Sequence, residues 1–351
     1  MTLISFTMKP QQSIREAYVE ASSFFRQHDV MEPESNAKLL LEWVLGLSGA
    51  SYYMALPDPF PMEHQAAWEE AVQRKVAGEP AQYIIGEQEF YGEVFKVTPA
   101  VLIPRPETEL LVEAVVELSS QLGSPHSDTN EAQTSSIVEQ DQLFHGERLP
   151  HRSESASMSD AVHSIEEAAQ TADGSGRVEH SAPRYVCVDI GTGSGAIALT
   201  LARLCPQWEI WASDISPDAL QIAQQNSERQ GLSIGWKQGN LLEPFAGCAV
   251  DIVVSNPPYI PDADIAELQP EVREHEPLTA LAGGPDGLGP YRIMMSQLSL
   301  LARQPRMVAF ELGMGQAQDV AQMVRETGYP KIHIIKDLAG IERHVIGMLE
   351  S

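Results

Sequence analysis

The chain has 351 residues and a mass of 38.5 kDa, enough for two domains and a linker, and 43% of its residues are hydrophobic. It carries 49 acidic against 23 basic residues, a formal charge of -26, so bare nucleic acid and anionic membrane surfaces are poor partners, since both are gripped through Lys and Arg. Three cysteines without a CxxC pair exclude a disulfide scaffold and a thiolate zinc site and fit a reducing cytosol, and no apolar run reaches membrane-spanning length.

The first residues, MTLISFTMKPQQS, lack a basic segment followed by a long apolar stretch, so no signal peptide is expected, and Met8 is an alternative start. Residues 1–80 read as helices. Ser13 and Glu16 have capping-box spacing ahead of Ile14, Ala17, Tyr18 and Ala21 at helical intervals. Leu39, Leu40, Trp43, Val44 and Leu47 form a second apolar stripe, and Trp68, Ala71, Val72 and Val76 a third. Ordinary core packing accounts for these stripes; a small bundle of this kind also suits partner recognition. Residues 81–103 change period, alternating aromatic and β-branched residues around Gly86 and Gly92, and predict a β-hairpin linker. In RPETELLVEAVVELSSQL a helix opens on Pro106, with Glu107 and Glu109 in its first turn.

Residues 124–183 break the pattern with 11 Ser, 11 acids, 3 Arg, 5 His and a single aromatic, Phe144. Such a stretch buries too little apolar surface to offset its ordering entropy, so it reads as a disordered acidic insertion. The rest of the chain still carries -18, so the acidity is general.

From Arg184 onward strands and helices alternate. Candidate strands are YVCVDIG, EIWASD, IGWKQG, VDIVVSN and MVAFEL, with helices near 195–204, 217–230, 290–303 and 315–327. Alternation of this kind predicts an α/β fold with a parallel sheet between helical layers. KIHIIKD and HVIGMLE flank a short turn at Gly340, which adds a terminal hairpin and one antiparallel strand.

Three motifs carry the chemistry. VDIGTGSGA (Val188–Ala196) follows a strand and opens a helix, and its glycines let backbone turn sharply and approach a ligand. By itself such a loop serves a dinucleotide or simply a tight turn, but the spacing lacks the third glycine of the dinucleotide fingerprint and there is no phosphate-loop lysine. Asp214 ends the next strand, about twenty residues on, where an acid accepts ribose hydroxyls; the alternative role is a helix cap. Together these resemble the S-adenosylmethionine site of class I methyltransferases, with Asp189 toward the methionine end. The third motif, SNPPYI (Ser255–Ile260), sits at the carboxyl end of the fourth strand of the alternating region. Its prolines stiffen the loop and remove two N–H donors. The Asn256 side-chain oxygen and the Pro257 carbonyl are thereby able to accept both hydrogens of a planar NH2 group on which Tyr259 can stack. A proline-stiffened turn is the bland alternative.

PAQYIIGEQEFYGEVFKVTPAVLIPRPETELLVE (Pro80–Glu113), DIGTGSGAIA, SNPPYI and EPLTALAGGPDGLGPYR (Glu276–Arg292) together resemble the HemK/PrmC family of release factor glutamine methyltransferases. The resemblance implies a class I, Rossmann-like methyltransferase with a mostly parallel seven-stranded sheet, formed by 104–123 and 184–351, behind a helical substrate-recognition domain at 1–80. It implies methyl transfer from S-adenosylmethionine to the amide nitrogen of the glutamine in the Gly-Gly-Gln motif of peptide chain release factors. Asp189, Gly191, Thr192, Gly193, Ser194, Gly195, Asp214, Asn240, Leu241 and Asn256 are then expected at the cofactor. Asn256, Pro257, Pro258 and Tyr259 are expected at the glutamine, with no metal. An adenine-specific DNA or RNA methyltransferase is the alternative, and the charge argues against it. A cytoplasmic monomer acting on a protein substrate is expected, with no direct nucleic-acid or membrane partner.

Overall fold

The computed structural model describes residues 5–123 and 185–350. Its N-terminal part packs α1 (Ile14–Gln27), α2 (Pro33–Leu45), α3 (Gly49–Ala55), α4 (Gln65–Val76) and α5 (Ala81–Ile85). The capping box at α1 is closed in both directions. Ser13 N donates to Glu16 Oε2 at 2.7 Å, and Glu16 N donates back to Ser13 Oγ at 3.3 Å. One core gathers Ile14, Ala21 and Phe25 from α1, Leu40, Leu41 and Val44 from α2, and Trp68 and Val72 from α4. The buried face of α2 is rotated from the expected stripe. Leu41 is buried, whereas Leu39 and Trp43 are 39% and 43% exposed. The run LLLEWVL offers apolar residues on more than one helical face, so periodicity alone does not choose between them.

Residues 81–85 differ from the extended stretch expected there. They form a helical turn that starts after Pro80 and is closed by Gly86 at φ +85°. The hairpin is confined to β1 (Glu87–Phe90) and β2 (Glu93–Lys96), joined through Tyr91 and Gly92, both at positive φ as a two-residue hairpin turn demands. Phe90 and Phe95 meet edge to face, with centroids 6.0 Å apart, and anchor the hairpin in the main core.

Helix α6 (Pro106–Ser119) leads to a seven-stranded sheet. In chain order this region comprises β3 (Val186–Ile190), α7 (Ala196–Leu204), β4 (Glu209–Asp214), α8 (Pro217–Gln230), β5 (Gly235–Gln238), β6 (Ile252–Ser255), α9 (Pro270–His275), α10 (Leu278–Leu281), α11 (Gly289–Gln297), β7 (Met307–Glu311), α12 (Ala317–Glu326), β8 (Lys331–Lys336) and β9 (Glu342–Met348). The spatial order is β5-β4-β3-β6-β7-β9-β8, with β9 antiparallel to both neighbours and the other pairings parallel. This is the expected α/β methyltransferase architecture. Strand alternation divides the core in two. Cys187, Ile252, Val254 and Met307 face α6 and α7, while Val188, Val253, Val308 and Phe310 face α11 and α12. No helix among the described residues is long and apolar enough to cross a membrane.

The acidic stretch 124–183, expected to be disordered, lies outside the described residues. Its flanks meet: the Tyr185 hydroxyl lies 2.9 and 2.8 Å from the carbonyl oxygens of Leu122 and Gly123.

Candidate active site

Strands β3 and β6 are neighbours, with Ile190 in register with Ser255. From β3 the chain steps outward through β4 and β5; from β6 it steps the opposite way to β7. The loops leaving the carboxyl ends therefore diverge and leave a crevice between them. Ser255 Oγ donates to the Ile190 carbonyl at 2.7 Å and ties the two strand ends together. A cavity of about 600 Å³ opens there, and its wall includes Gly191, Thr192, Gly193, Ser194, Asp214, Asn240, Leu241, Asn256 and Pro258. The structure thus brings the three sequence motifs to one chamber.

Gly191 and Gly193 adopt φ +71° and +55°, with no atom within 4 Å of where a Cβ would stand, so the loop leaves room for a ligand. Gly195, at φ +84°, is not on the wall. A Cβ there would lie 3.1 Å from Leu199 Cδ1 and 3.3 Å from Ala223 Cβ, so this glycine serves the packing of α7 on α8. Four amides of the loop are already engaged. Gly191 N and Thr192 N both donate to the Ser213 carbonyl at 2.9 Å, Gly193 N to Asp214 Oδ2 at 2.9 Å, and Gly195 N to the Thr192 carbonyl at 2.9 Å. A pyrophosphate needs such amides free. A glycine loop with these four donors spent and carboxylates beside it suits a ligand that brings hydroxyls and positive charge.

Asp214 supplies the first of those carboxylates. Its Oδ1 accepts from Ser216 N at 2.9 Å, and each oxygen keeps a lone pair for a ligand hydroxyl. The cap of α8 is Ser216, whose Oγ accepts from Ala219 N at 3.2 Å, so the side-chain capping bond does not fall to Asp214. Burial raises the Asp214 pKa, opposed by the backbone N–H bonds it accepts. Asp189, expected to face the ligand, is 1% exposed and is not on the wall. Its Oδ2 accepts from Thr192 Oγ1 at 2.6 Å and Ala198 N at 3.2 Å, which draws the carboxylate beneath the loop. Burial pushes its pKa up to about 7, and Oδ1 is buried without a hydrogen-bond partner. Asn240 donates from Nδ2 to Glu243 Oε1 at 3.0 Å, leaving its own oxygen for other contacts, and Leu241 adopts φ +52° beside it.

In the proline motif, Asn256 and Pro258 line the cavity, whereas Pro257 and Tyr259 do not. The Tyr259 ring packs against the core that includes Tyr291 and Phe310, and burial pushes its phenol up to about 12. Its carbonyl accepts from Gln316 Nε2 at 2.9 Å. Tyr259, expected to stack on the glutamine amide, does not line this cavity; its ring packs on that core, and the bond from Gln316 fixes its backbone. Asn256 Nδ2 donates to Thr108 Oγ1 at 3.2 Å, and Thr108 Oγ1 donates to Glu311 Oε2 at 2.6 Å.

Thr108, Glu311 and the segment that covers the site carry no role legible in the sequence alone. Pro277, Leu278, Thr279, Ala282 and Gly283 form part of the wall. A Cβ at Gly283 would stand 2.9 Å from the Pro258 carbonyl oxygen, and one at Gly289 2.8 Å from the Gly283 oxygen. The glycine density of EPLTALAGGPDGLGP was the available signal, since repeated glycines mark close backbone approach. The covering segment is preceded by two ion pairs. Lys75 Nζ, on α4, meets Glu271 at 2.6 Å, and Arg105 pairs with the buried Glu276. Burial lowers the Lys75 pKa and raises that of Glu276.

A model of the PrmC N-terminal domain matches residues 16–86, and a model of the methyltransferase small domain matches residues 178–269. A release factor glutamine methyltransferase of Geobacter sulfurreducens is 35% identical over 318 residues, covering 90% of this chain and 90% of the relative. The enzyme of the same description from Moorella thermoacetica is 34% identical, covering 94% of this chain and 96% of the relative. That from Bacillus subtilis is 33% identical, covering 97% and 99%.

Proposed function

The chain belongs to the release factor glutamine methyltransferases, and from that premise we propose how its cavity receives the two reactants. The protein is an S-adenosylmethionine-dependent methyltransferase that modifies a release factor glutamine. The finer reading is that the target is the glutamine of the Gly-Gly-Gln motif, presented by a protein substrate whose recognition involves the helical residues 1–80.

The observation that carries this reading is the shared chamber: the glycine loop and Asp214 stand on one side of the β3/β6 crevice and Asn256 with Pro258 on the other. The residues fit the cofactor. Asp214 is placed on the cavity wall to accept ribose hydroxyls, four amides of the glycine loop are already bonded within the protein, and the Asp214 carboxylate suits a cationic ligand better than an anion. When bound, S-adenosylmethionine supplies an electrophilic methyl group on a sulfonium.

The chain's own task is the amide. A carboxamide nitrogen is a poor nucleophile because its lone pair is delocalised into the carbonyl. The Asn256 oxygen, on the cavity wall, accepts one of its hydrogens, and the other is proposed to go to the carbonyl of Pro257, which stands between the two lining residues Asn256 and Pro258; this favours a pyramidal nitrogen and localises the pair. Pro258 and Ala282 present apolar surface that excludes water and strengthens those bonds. Holding the nitrogen in line supplies much of the rate, and its proton leaves after transfer without a strong base.

We further place 104–123 and 184–351 in the catalytic domain and 81–103 in the link to the helices. The enzyme acts as a cytoplasmic monomer without binding nucleic acid directly; its three free cysteines suit that compartment. The test is mass spectrometry of the Gly-Gly-Gln peptide of purified release factor, before and after incubation with enzyme and labelled S-adenosylmethionine. One added methyl on the glutamine is expected. Label on adenine in added nucleic acid, with none on the factor, overturns the reading.

A further inference from the structure

We propose that Thr108 and Glu311 are positioning residues that fix which way the Asn256 carboxamide faces, so that its oxygen and not its NH2 group meets the target amide. The proposal rests on the glutamine-amide reading above.

A threonine hydroxyl has one proton and two lone pairs. At Thr108 that proton is committed to Glu311, at 2.6 Å, a distance typical of a hydroxyl donating to a carboxylate. The hydroxyl can then only accept from Asn256, which turns its NH2 group toward Thr108 at 3.2 Å. The two ends of a carboxamide are alike in shape, and only such a partner distinguishes them. With the NH2 group held, the oxygen is left for the cavity. The opposite orientation would set an NH2 group against the NH2 group of the substrate, donor against donor.

The three residues come from α6, β6–loop and β7, and Thr108 and Glu311 are 4% and 2% exposed, so water does not compete for these bonds. The backbone of Glu311 is itself fixed, because the Tyr291 hydroxyl on α11 donates to its carbonyl at 2.7 Å. Several titratable groups face the Glu311 carboxyl. On β9 these are Arg343 and His344, whose Nε2 lies 3.9 Å away, beyond hydrogen-bond distance. Glu107 on α6 repels it, and the Tyr259 phenol stands on the β6–loop side. Burial keeps His344 neutral, with a pKa of about 4, so it does not neutralise the carboxylate. Burial first, then Glu107, raises the Glu311 pKa to about 7, while Thr108, Arg343 and Asn256 pull it down.

Protonation reverses the chain of bonds. A protonated Glu311 donates to Thr108 Oγ1, the hydroxyl proton turns to Asn256, and the carboxamide oxygen is drawn away from the cavity. Turnover is therefore expected to fall as pH drops through about 7, with cofactor binding following much less.

The experiment measures kcat and KM on purified release factor between about pH 5.5 and 9, with S-adenosylmethionine affinity by calorimetry. Glu311→Gln retains an acceptor for the Thr108 hydroxyl but cannot titrate, and it should flatten the acid limb of kcat. Thr108→Val removes the relay at nearly equal volume and should lower kcat about 30-fold or more, with cofactor affinity within about threefold. Thr108→Ser should restore kcat to within about threefold of wild type, a rescue that a packing role alone would not give. An acid limb unchanged in Glu311→Gln, or full turnover in Thr108→Val, overturns the proposal while wild-type methylation leaves the underlying reading intact. Wild-type enzyme that leaves the glutamine unmodified rejects that reading and this proposal with it. If the valine variant does not fold, the pH profile of Glu311→Gln decides.

Discussion

Gly287 approaches the Tyr259 carbonyl so closely that a Cβ on it would lie 2.2 Å from the oxygen, and it does so at φ +75°. The segment covering the site is thus seated on the backbone of the proline motif, which cannot step aside as a flexible side chain could. Gly287→Ala is expected to displace one from the other. It should cut turnover at least about tenfold and cost more than about 1 kcal/mol of stability. Gly284→Ala is the control: it has φ +89° but no atom within 4 Å of a new Cβ, so it carries backbone strain without the collision, about 1 kcal/mol. Urea unfolding and the methylation assay on both variants separate the two effects, and equal losses would show that the contact with Tyr259 is unimportant.

Asn256→Ala tests the assignment of roles on the wall. If the side-chain oxygen acts on the amide as it becomes pyramidal, kcat falls about 100-fold or more, on the scale of losing one donor from an oxyanion hole, while S-adenosylmethionine affinity changes little. Single-turnover rates with calorimetric binding make the comparison. Parallel losses in both would instead make Asn256 chiefly a ligand of the cofactor.

The legible parts of this molecule are those written in short, local patterns. The glycine loop, Asp214 and the proline motif each occupy a few consecutive residues at a strand end, and the alternation of elements places those ends on one edge of the sheet. What stayed hidden depends on partners remote in sequence. Thr108 and Glu311 are 203 residues apart and look unremarkable singly, a threonine in a first helical turn and an acid closing a strand. The backbone of Tyr259 is held by Gln316 and its ring meets a core built largely from later elements, neither of which its own neighbours reveal. Asp189 reads as a ligand by position alone, yet the Thr192 hydroxyl, three residues on, pulls it under the loop.

Two buried carboxyls make stability depend on pH in a direction opposite to ordinary acid denaturation. Asp189 and Glu311 both have pKa values raised by burial to about 7. Each binds its proton more tightly folded than unfolded, so each stabilises the fold below the ordinary carboxyl range and loses that contribution as pH rises through about 7. His344 works the other way, with a pKa held down to about 4, but its effect sets in only below the ordinary histidine range. Lowering pH from about 8.5 to 6.5 should therefore raise the unfolding free energy of ligand-free enzyme by on the order of 1 kcal/mol per carboxyl. Urea midpoints at the two pH values provide the measurement. Asp189→Asn together with Glu311→Gln should remove most of the difference, and a wild-type midpoint that does not rise toward pH 6.5 contradicts the assignment.

The meeting of Tyr185 with Leu122 and Gly123 bears on the acidic 124–183 stretch of sequence that separates them. Both flanks are held by the core: Tyr185 stacks edge to face on Trp208 at 5.6 Å, and Leu122 is buried beside α6. Replacing residues 125–183 with a short Gly/Ser link should therefore leave kcat and cofactor affinity unchanged. Closing a loop of about 6 residues in place of about 60 costs less entropy, so stability should hold or rise by up to about 2 kcal/mol. Unfolding and turnover of the shortened enzyme are the readouts. A loss of turnover at unchanged stability would mean that the acidic stretch takes part in handling the release factor, and a loss of stability would mean that it packs on the domain it interrupts.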